Sequence, residues 1–195
     1  MHRQNKPEFL VPLKVIRVVP LSALRWYHLH RYDGTASALS AWKELSNDLC
    51  WTEQLLEKYQ DKIDWNELSE NRNILWTIPM LQKFKHRINW DKLSRYADEK
   101  VLTENCIETF KEKWNWNELS NNSIITNELL DKFADKWDWE EIIGRYHSDL
   151  FSNRNAMEFY ERYKEYIPAA KLQNSSLWNE IVEQRKNQII AEITA

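Results

Sequence analysis

One phrase, written four times, limits what this chain can fold into. "DKIDWNELSEN" at residues 61–71 returns as "HRINWDKLSRY", "EKWNWNELSNN" and "DKWDWEEIIGR". A tryptophan followed three residues later by an aliphatic side chain anchors each copy. The pairs are Trp42/Leu45, Trp65/Leu68, Trp90/Leu93, Trp116/Leu119 and Trp139/Ile142, with steps of 23, 25, 26 and 23 residues. Self-similarity at such a period is the signature of a repeat architecture, in which each unit buries its apolar face against its neighbours. Serine follows the aliphatic residue at positions 46, 69, 94 and 120, and isoleucine takes that place at 143.

Upstream of each later anchor runs a second segment of constant length: "TEQLLEKYQDKI", "TIPMLQKFKHRI", "TENCIETFKEKW" and "TNELLDKFADKW". Apolar residues at i, i+1, i+4 and i+8, such as Leu55, Leu56, Tyr59 and Ile63, form one stripe on a helix. Thr52, Thr77, Thr103 and Thr126 stand where an N-cap hydroxyl accepts from unpaired amides, and Pro79 sits early enough in its segment to be tolerated. Asp64, Asn89, Asn115 and Asp138 precede the anchor tryptophan and predict the N-cap of a second, shorter helix. The expected unit is therefore a long helix, a one-residue corner and a helix of about two turns, with a Ser/Asn-rich exit. The corner indole is expected to wedge between successive units.

A degenerate fifth copy, "MEFYERYKEYIPAAKL", overlays "EQLLEKYQDKIDWNEL" without a gap, with Pro168 at the cap and Ala169 in place of tryptophan. The last segment, "SSLWNEIVEQRKNQIIAEI", lines up Trp178, Ile181, Val182, Ile189 and Ile193 and predicts a closing helix. The expected fold is all-α: a right-handed α-α superhelix, or solenoid, of about five helix pairs of roughly 25 residues. Residues 1–36 are expected to form an irregular N-terminal capping segment, 37–174 the array and 175–195 the C-terminal capping helix.

The phrase "DWNELSEN", with the preceding "LLEKYQDKI" and the lead-in "ILWT", resembles a Trp-rich repeat of consensus DWxxLSxN found in proteins of bacteria and large DNA viruses. The likeness covers roughly residues 42–145. It implies a helical repeat array and brings no catalytic residues with it. Ile143, Ala169 and the first 35 residues depart from the pattern.

Composition narrows the function classes. A mean hydropathy of −0.72 and the lack of a membrane-length apolar run argue against a spanning segment. The N-terminal apolar stretch is interrupted by Pro7, Pro12, Lys14 and Arg17, which reads as mature chain. Two cysteines give no disulfide framework, so reduced thiols and a cytoplasmic setting are expected. Cys50, grouped with Leu75, Leu102 and Ile125, and Cys106, grouped with Leu55 and Leu129, are expected to be small core residues. Net charge is −3 with both signs interspersed, which argues against nucleic acid as partner.

Little in the residues points to chemistry. His28, His30 and Asp33 in "YHLHRYD" would ligate a metal only with help from elsewhere, since the other histidines are His2, His86 and His147. Neither a Gly-rich phosphate loop nor a nucleophile-base pairing is written in the chain, so the reading is non-enzymatic, without cofactor or metal. The charges are more informative. Lys58, Lys83, Lys132 and Arg162 form one column, continued a turn later by Lys62, Arg87, Lys113 and Lys136. Glu57, Glu108, Asp131 and Glu161, with Asp61, Glu112, Asp135 and Glu165, form an acidic column beside it. Such a basic stripe either selects a protein partner or keeps an array in solution. The favoured function is a protein-binding scaffold or adaptor. The alternatives are an immunity- or inhibitor-type protein that binds one enzyme, and a metal-dependent enzyme using the N-terminal His-x-His segment.

Overall fold

A computed structural model describes residues 38–145, 149–151 and 156–194 of the chain. Among the described residues the secondary structure is helical, with no strand. The helices are α1 (Ala38–Asp48), α2 (Glu53–Tyr59), α3 (Trp65–Glu70), α4 (Ile78–Phe84), α5 (Trp90–Tyr96) and α6 (Glu104–Thr109). They continue as α7 (Trp116–Ser120), α8 (Asn127–Lys132), α9 (Trp139–Gly144), α10 (Ala156–Tyr163), α11 (Ala169–Leu172) and α12 (Ser176–Thr194). The N-terminal capping segment and the His28, His30 and Asp33 group lie outside the described residues, as does His147.

The caps form where the sequence places them. Thr52, Thr77, Thr103 and Thr126 accept from the amides of Leu55, Met80, Cys106 and Leu129. Asp64 accepts from Asn66 and Glu67, Asn89 from Lys92, Asn115 from Glu118, and Asp138 from Glu140 and Glu141. Each of these bonds satisfies an amide that the first turn of a helix leaves unpaired. Pro79 occupies the first turn of α4, where its missing N–H costs nothing.

The expected long helix and one-residue corner are not what forms. Helices α2, α4, α6 and α8 end at or just before the aromatic residue, after six or seven residues, and a hydrogen-bonded turn carries the chain on to the next cap. In the first unit Lys62 and Ile63 both donate to the carbonyl of Tyr59. The anchor tryptophan explains the break. The indole Nε1 of Trp65 donates to Gln60 O at 2.9 Å, that of Trp90 to Lys85 O at 2.9 Å, Trp116 to Lys111 O at 3.1 Å and Trp139 to Ala134 O at 2.8 Å. A carbonyl that α-helical continuation would pair with an amide is instead paired with a side chain five residues on.

Packing runs from each unit to the next. Helices α1, α3, α5, α7 and α9 contact one another in sequence, and α12 packs on α9 and α10. Leu45, Leu68, Leu93, Leu119 and Ile142 are all buried at the centre of these contacts, joined by Leu56, Leu81, Ile107 and Leu130. The corner indoles lie across the unit boundaries. Trp42 meets Tyr59, Trp65 meets Phe84, Trp90 meets Phe110 and Trp116 meets Phe133, with ring centroids 5.3–5.6 Å apart, and Trp139 meets Tyr163 at 4.9 Å. These separations are those of paired aromatic rings. Trp139 is buried, and the other four are half-buried.

Candidate interaction surface

The serine of the repeated phrase joins neighbours. Ser46 Oγ donates to Trp42 O within its own helix at 2.6 Å and accepts at 3.0 Å from the amide of Asp64, the next unit's cap. Ser69 and Ser94 make the same pair of bonds, accepting from Asn89 and Asn115, and Ser120 accepts from Asp138, at 2.9–3.0 Å. All four serines are buried. A cap residue's own amide precedes the helix and has no intrahelical acceptor, so the neighbour's hydroxyl supplies one. Ile143 breaks the serine pattern at the one boundary where the next cap is Pro168, which has no N–H to offer. Two apparent departures thus have one cause, and their coincidence in the sequence was the available signal for this contact.

Two further contacts repeat across the boundaries. Two residues after the serine, buried Asn71 donates to Ser46 O and Leu49 O, both at 2.8 Å, while accepting from Asn73 N at 2.7 Å. Asn122 repeats this on Ser94 O and Ala97 O, and Arg145 Nη2 reaches Ser120 O. Burial of the Arg145 guanidinium pulls its pKa down to about 10. Tyr96 takes the corresponding place in the remaining unit, and there a cavity of about 10 Å³ opens beside Ser69, Asn71, Trp76 and Ala97. The expected tight exit from each short helix is present, but it also ties one unit to another.

At the surface, the cap residue and the residue after the anchor tryptophan of the preceding unit form pairs. Asn89 Nδ2 donates to Asn66 Oδ1, Asn115 Nδ2 to Asp91 Oδ1, and Asn117 Nδ2 to Asp138 Oδ2, at 2.7–2.8 Å. No pair sets two carboxylates against each other. Where one partner is aspartate the other is an amide that donates to it.

Part of the candidate basic stripe is spent on carboxylates, some from the acidic column and some, Glu53 and Glu104, from outside it. Lys83 reaches Glu53 and Glu57 of the preceding unit, Arg87 pairs with Asp61 at 3.0 Å, Lys132 with Glu104 and Arg162 with Asp131. Lys136 lies 3.7 Å from the adjacent Asp135. Lys58 sits over the ring of Tyr59, and Lys62 over that of Trp42, as Arg87 does over Trp65. Lys113 is exposed. Between the short helices run Lys43–Glu67, Lys92–Glu70, Arg95–Glu118 and Lys171–Glu140. The bond to Glu70 raises the pKa of Lys92. Exposed pairs of this kind contribute at most about 1 kcal/mol each. Lys92 and Lys171, like Lys83, Arg87, Lys132 and Arg162, reach a carboxylate of the preceding unit, whereas Lys43 and Arg95 reach one of the following unit.

Cys106 is buried, and burial pushes its thiol up to about 11, the opposite of what a nucleophile needs. Cys50 is half-buried and not a core residue. Counted from the capping threonine, its counterparts are Leu75, Val101 and Ile124, while Trp51, Trp76, Leu102 and Ile125 hold the buried position one residue later. Among the described residues no cluster of three His, Cys, Asp or Glu side chains is arranged to hold a metal.

The largest apolar exposure lies on α12. The expected closing face is divided: Leu177 and Ile181 are buried against α9 and α10, whereas Trp178, Val182, Ile189, Ile190 and Ile193 are exposed, Ile193 by 79%. Every residue from Arg185 to Thr194 is exposed. None of the helices of the described residues is long and apolar enough to cross a membrane. Over the described residues these features define an all-helical set of repeated units, laced together by indoles, serines and ion pairs. Comparison with protein-family models, with curated proteins and with solved structures gave no match to this chain.

Proposed function

We propose that the chain is a non-enzymatic scaffold or adaptor that binds a protein partner along an array of helix pairs. In this reading the units continue as a right-handed α-α superhelix of the Trp-rich type that "DWNELSEN" resembles. The observation that supports it most is the packing of each Trp helix on the one before and the one after. Such packing repeats equivalent side chains at a fixed interval and offers a partner a long surface without a central cleft. Lys62 over the Trp42 ring and exposed Lys58 and Lys113 are parts of that surface without a carboxylate partner from a neighbouring unit, and are open to a binding partner.

Lysine-directed cross-linking of the full chain to the proteins it retains tests this. Cross-links spread over Lys58, Lys83, Lys113 and Lys132 are expected, because an extended partner touches successive units. Retention of nothing beyond what a heat-unfolded control retains would sink the proposal. One tightly held enzyme whose turnover stops on binding would replace the scaffold with an inhibitor.

A further inference from the structure

We infer that α12 is a self-association helix, and that two copies of the chain pair through it in antiparallel orientation. The inference goes beyond the scaffold reading and is measured on the pure protein, so either can fail alone. Leu177 and Ile181 fasten the first turns of α12 to the array, and the helix then runs on with every side chain from Arg185 to Thr194 in water. Those last turns gain nothing from tertiary packing, which is what normally sustains a helix, while three isoleucines among them remain solvated.

At about 100° per residue, Trp178, Val182, Ile189 and Ile193 fall within an arc of about 60°, rotated away from the buried side, and span about 22 Å of helix. The stripe reads alike from either end. Trp178 lies as far from its midpoint as Ile193 does, and Val182 as far as Ile189. An antiparallel copy therefore sets Trp178 of one chain on Ile193 of the other and Val182 on Ile189, which is the self-complementarity a two-fold interface requires. The charges agree. Glu183 and Lys186 lie together on one flank, 3.3 Å apart in a single chain. Because like flanks meet across a two-fold axis, Lys186 of one chain also comes within reach of Glu183 of the other. Arg185, hydrogen-bonded to Gln188 at 3.3 Å, sits near the centre of the stripe and holds the affinity down, as a charged residue does in a helix-helix seam.

A seam of this length is small beside a standard interface, so a dissociation constant on the order of 10 µM is expected. Sedimentation velocity of the full chain, from about 1 to 200 µM, should show conversion of a 23.7 kDa species to twice that mass. Ile189→Glu with Ile193→Glu should leave a monomer at every concentration, with the helical content and thermal midpoint that the wild type shows at the dilute, monomeric end, since both side chains are exposed there. Arg185→Leu should tighten the dimer at least tenfold. Lys186→Glu should weaken it, and adding Glu183→Lys should restore it. A wild type monomeric throughout would overturn the proposal, including one whose stripe is covered by its own N-terminal residues. A dimer indifferent to Ile189→Glu, Ile193→Glu and Arg185→Leu would overturn it equally.

Discussion

Ser94→Ala isolates the contact that joins one unit to the next. The serine is buried; its hydroxyl donates to Trp90 O at 2.6 Å and accepts from Asn115 N at 3.0 Å. Alanine fills nearly the same space, so no cavity term enters. Trp90 O lies four residues before Ser94 and keeps its place in the helix ladder, so the main loss is the acceptor for the Asn115 amide. Leaving a buried donor unpaired costs about 1–3 kcal/mol. Against this, alanine gains about 0.5 kcal/mol of helix propensity over serine. The net expectation is a loss of about 1.5 kcal/mol, read from urea unfolding followed by far-UV circular dichroism. Exposed Ser123→Ala serves as the control and should stay within about 0.5 kcal/mol of wild type. The decisive comparison adds Asn115→Pro, which removes the N–H as Pro168 does naturally. In that background Ser94→Ala should cost nothing further, a coupling close to the whole of its original effect. If Ser94→Ala is as mild as Ser123→Ala, or costs the same with and without the Asn115 amide, the cross-unit bond is not a stabilising contact.

Asn71→Ala removes both donations to Ser46 O and Leu49 O and the bond from Asn73 N, and should cost about 2–3 kcal/mol in the same unfolding assay. Cys106 gives a pH signature. Its thiol pKa is raised from 9.0 to about 11 in the fold, so the unfolded chain loses that proton first as pH rises. Stability is fully present below about pH 9 and falls towards pH 11; Cys106→Ala should lack this component when the two slopes are compared. Asn117→Asp faces a second carboxylate on Asp138 and should lose about 1 kcal/mol at neutral pH, recovered on acidification and by adding Asp138→Asn.

Much of the local structure was legible because its causes lie within a few residues of one another. Thr52 and its counterparts cap because a hydroxyl three residues upstream of an amide reaches it, and Trp65 with Leu68 marks one face because i and i+3 share a side. The length of the first helix was misjudged for a reason equally local in space but hidden in the pattern. Apolar periodicity continues from Leu55 to Ile63, yet the Trp65 indole takes Gln60 O and turns the chain early.

The charge columns were visible as residue types, but their use was not. Whether Lys83 and Arg87 face a partner or the preceding unit depends on how one helix pair lies on another, and the stack brings Glu53, Glu57 and Asp61 to them.

By itself the sequence determined the unit: its caps, its anchor pair, its repetition and the all-helical class, all set by short-range hydrogen bonding and periodicity. Only the tertiary structure decided what holds unit to unit. The Ser46 hydroxyl and the Asp64 amide are 18 residues apart, and the Asn71 amide and Ser46 carbonyl 25 apart, so stacking alone brings them within bonding distance. It also decided which side of α12 is buried, because Leu177 and Ile181 rather than Trp178 and Val182 met α9 and α10.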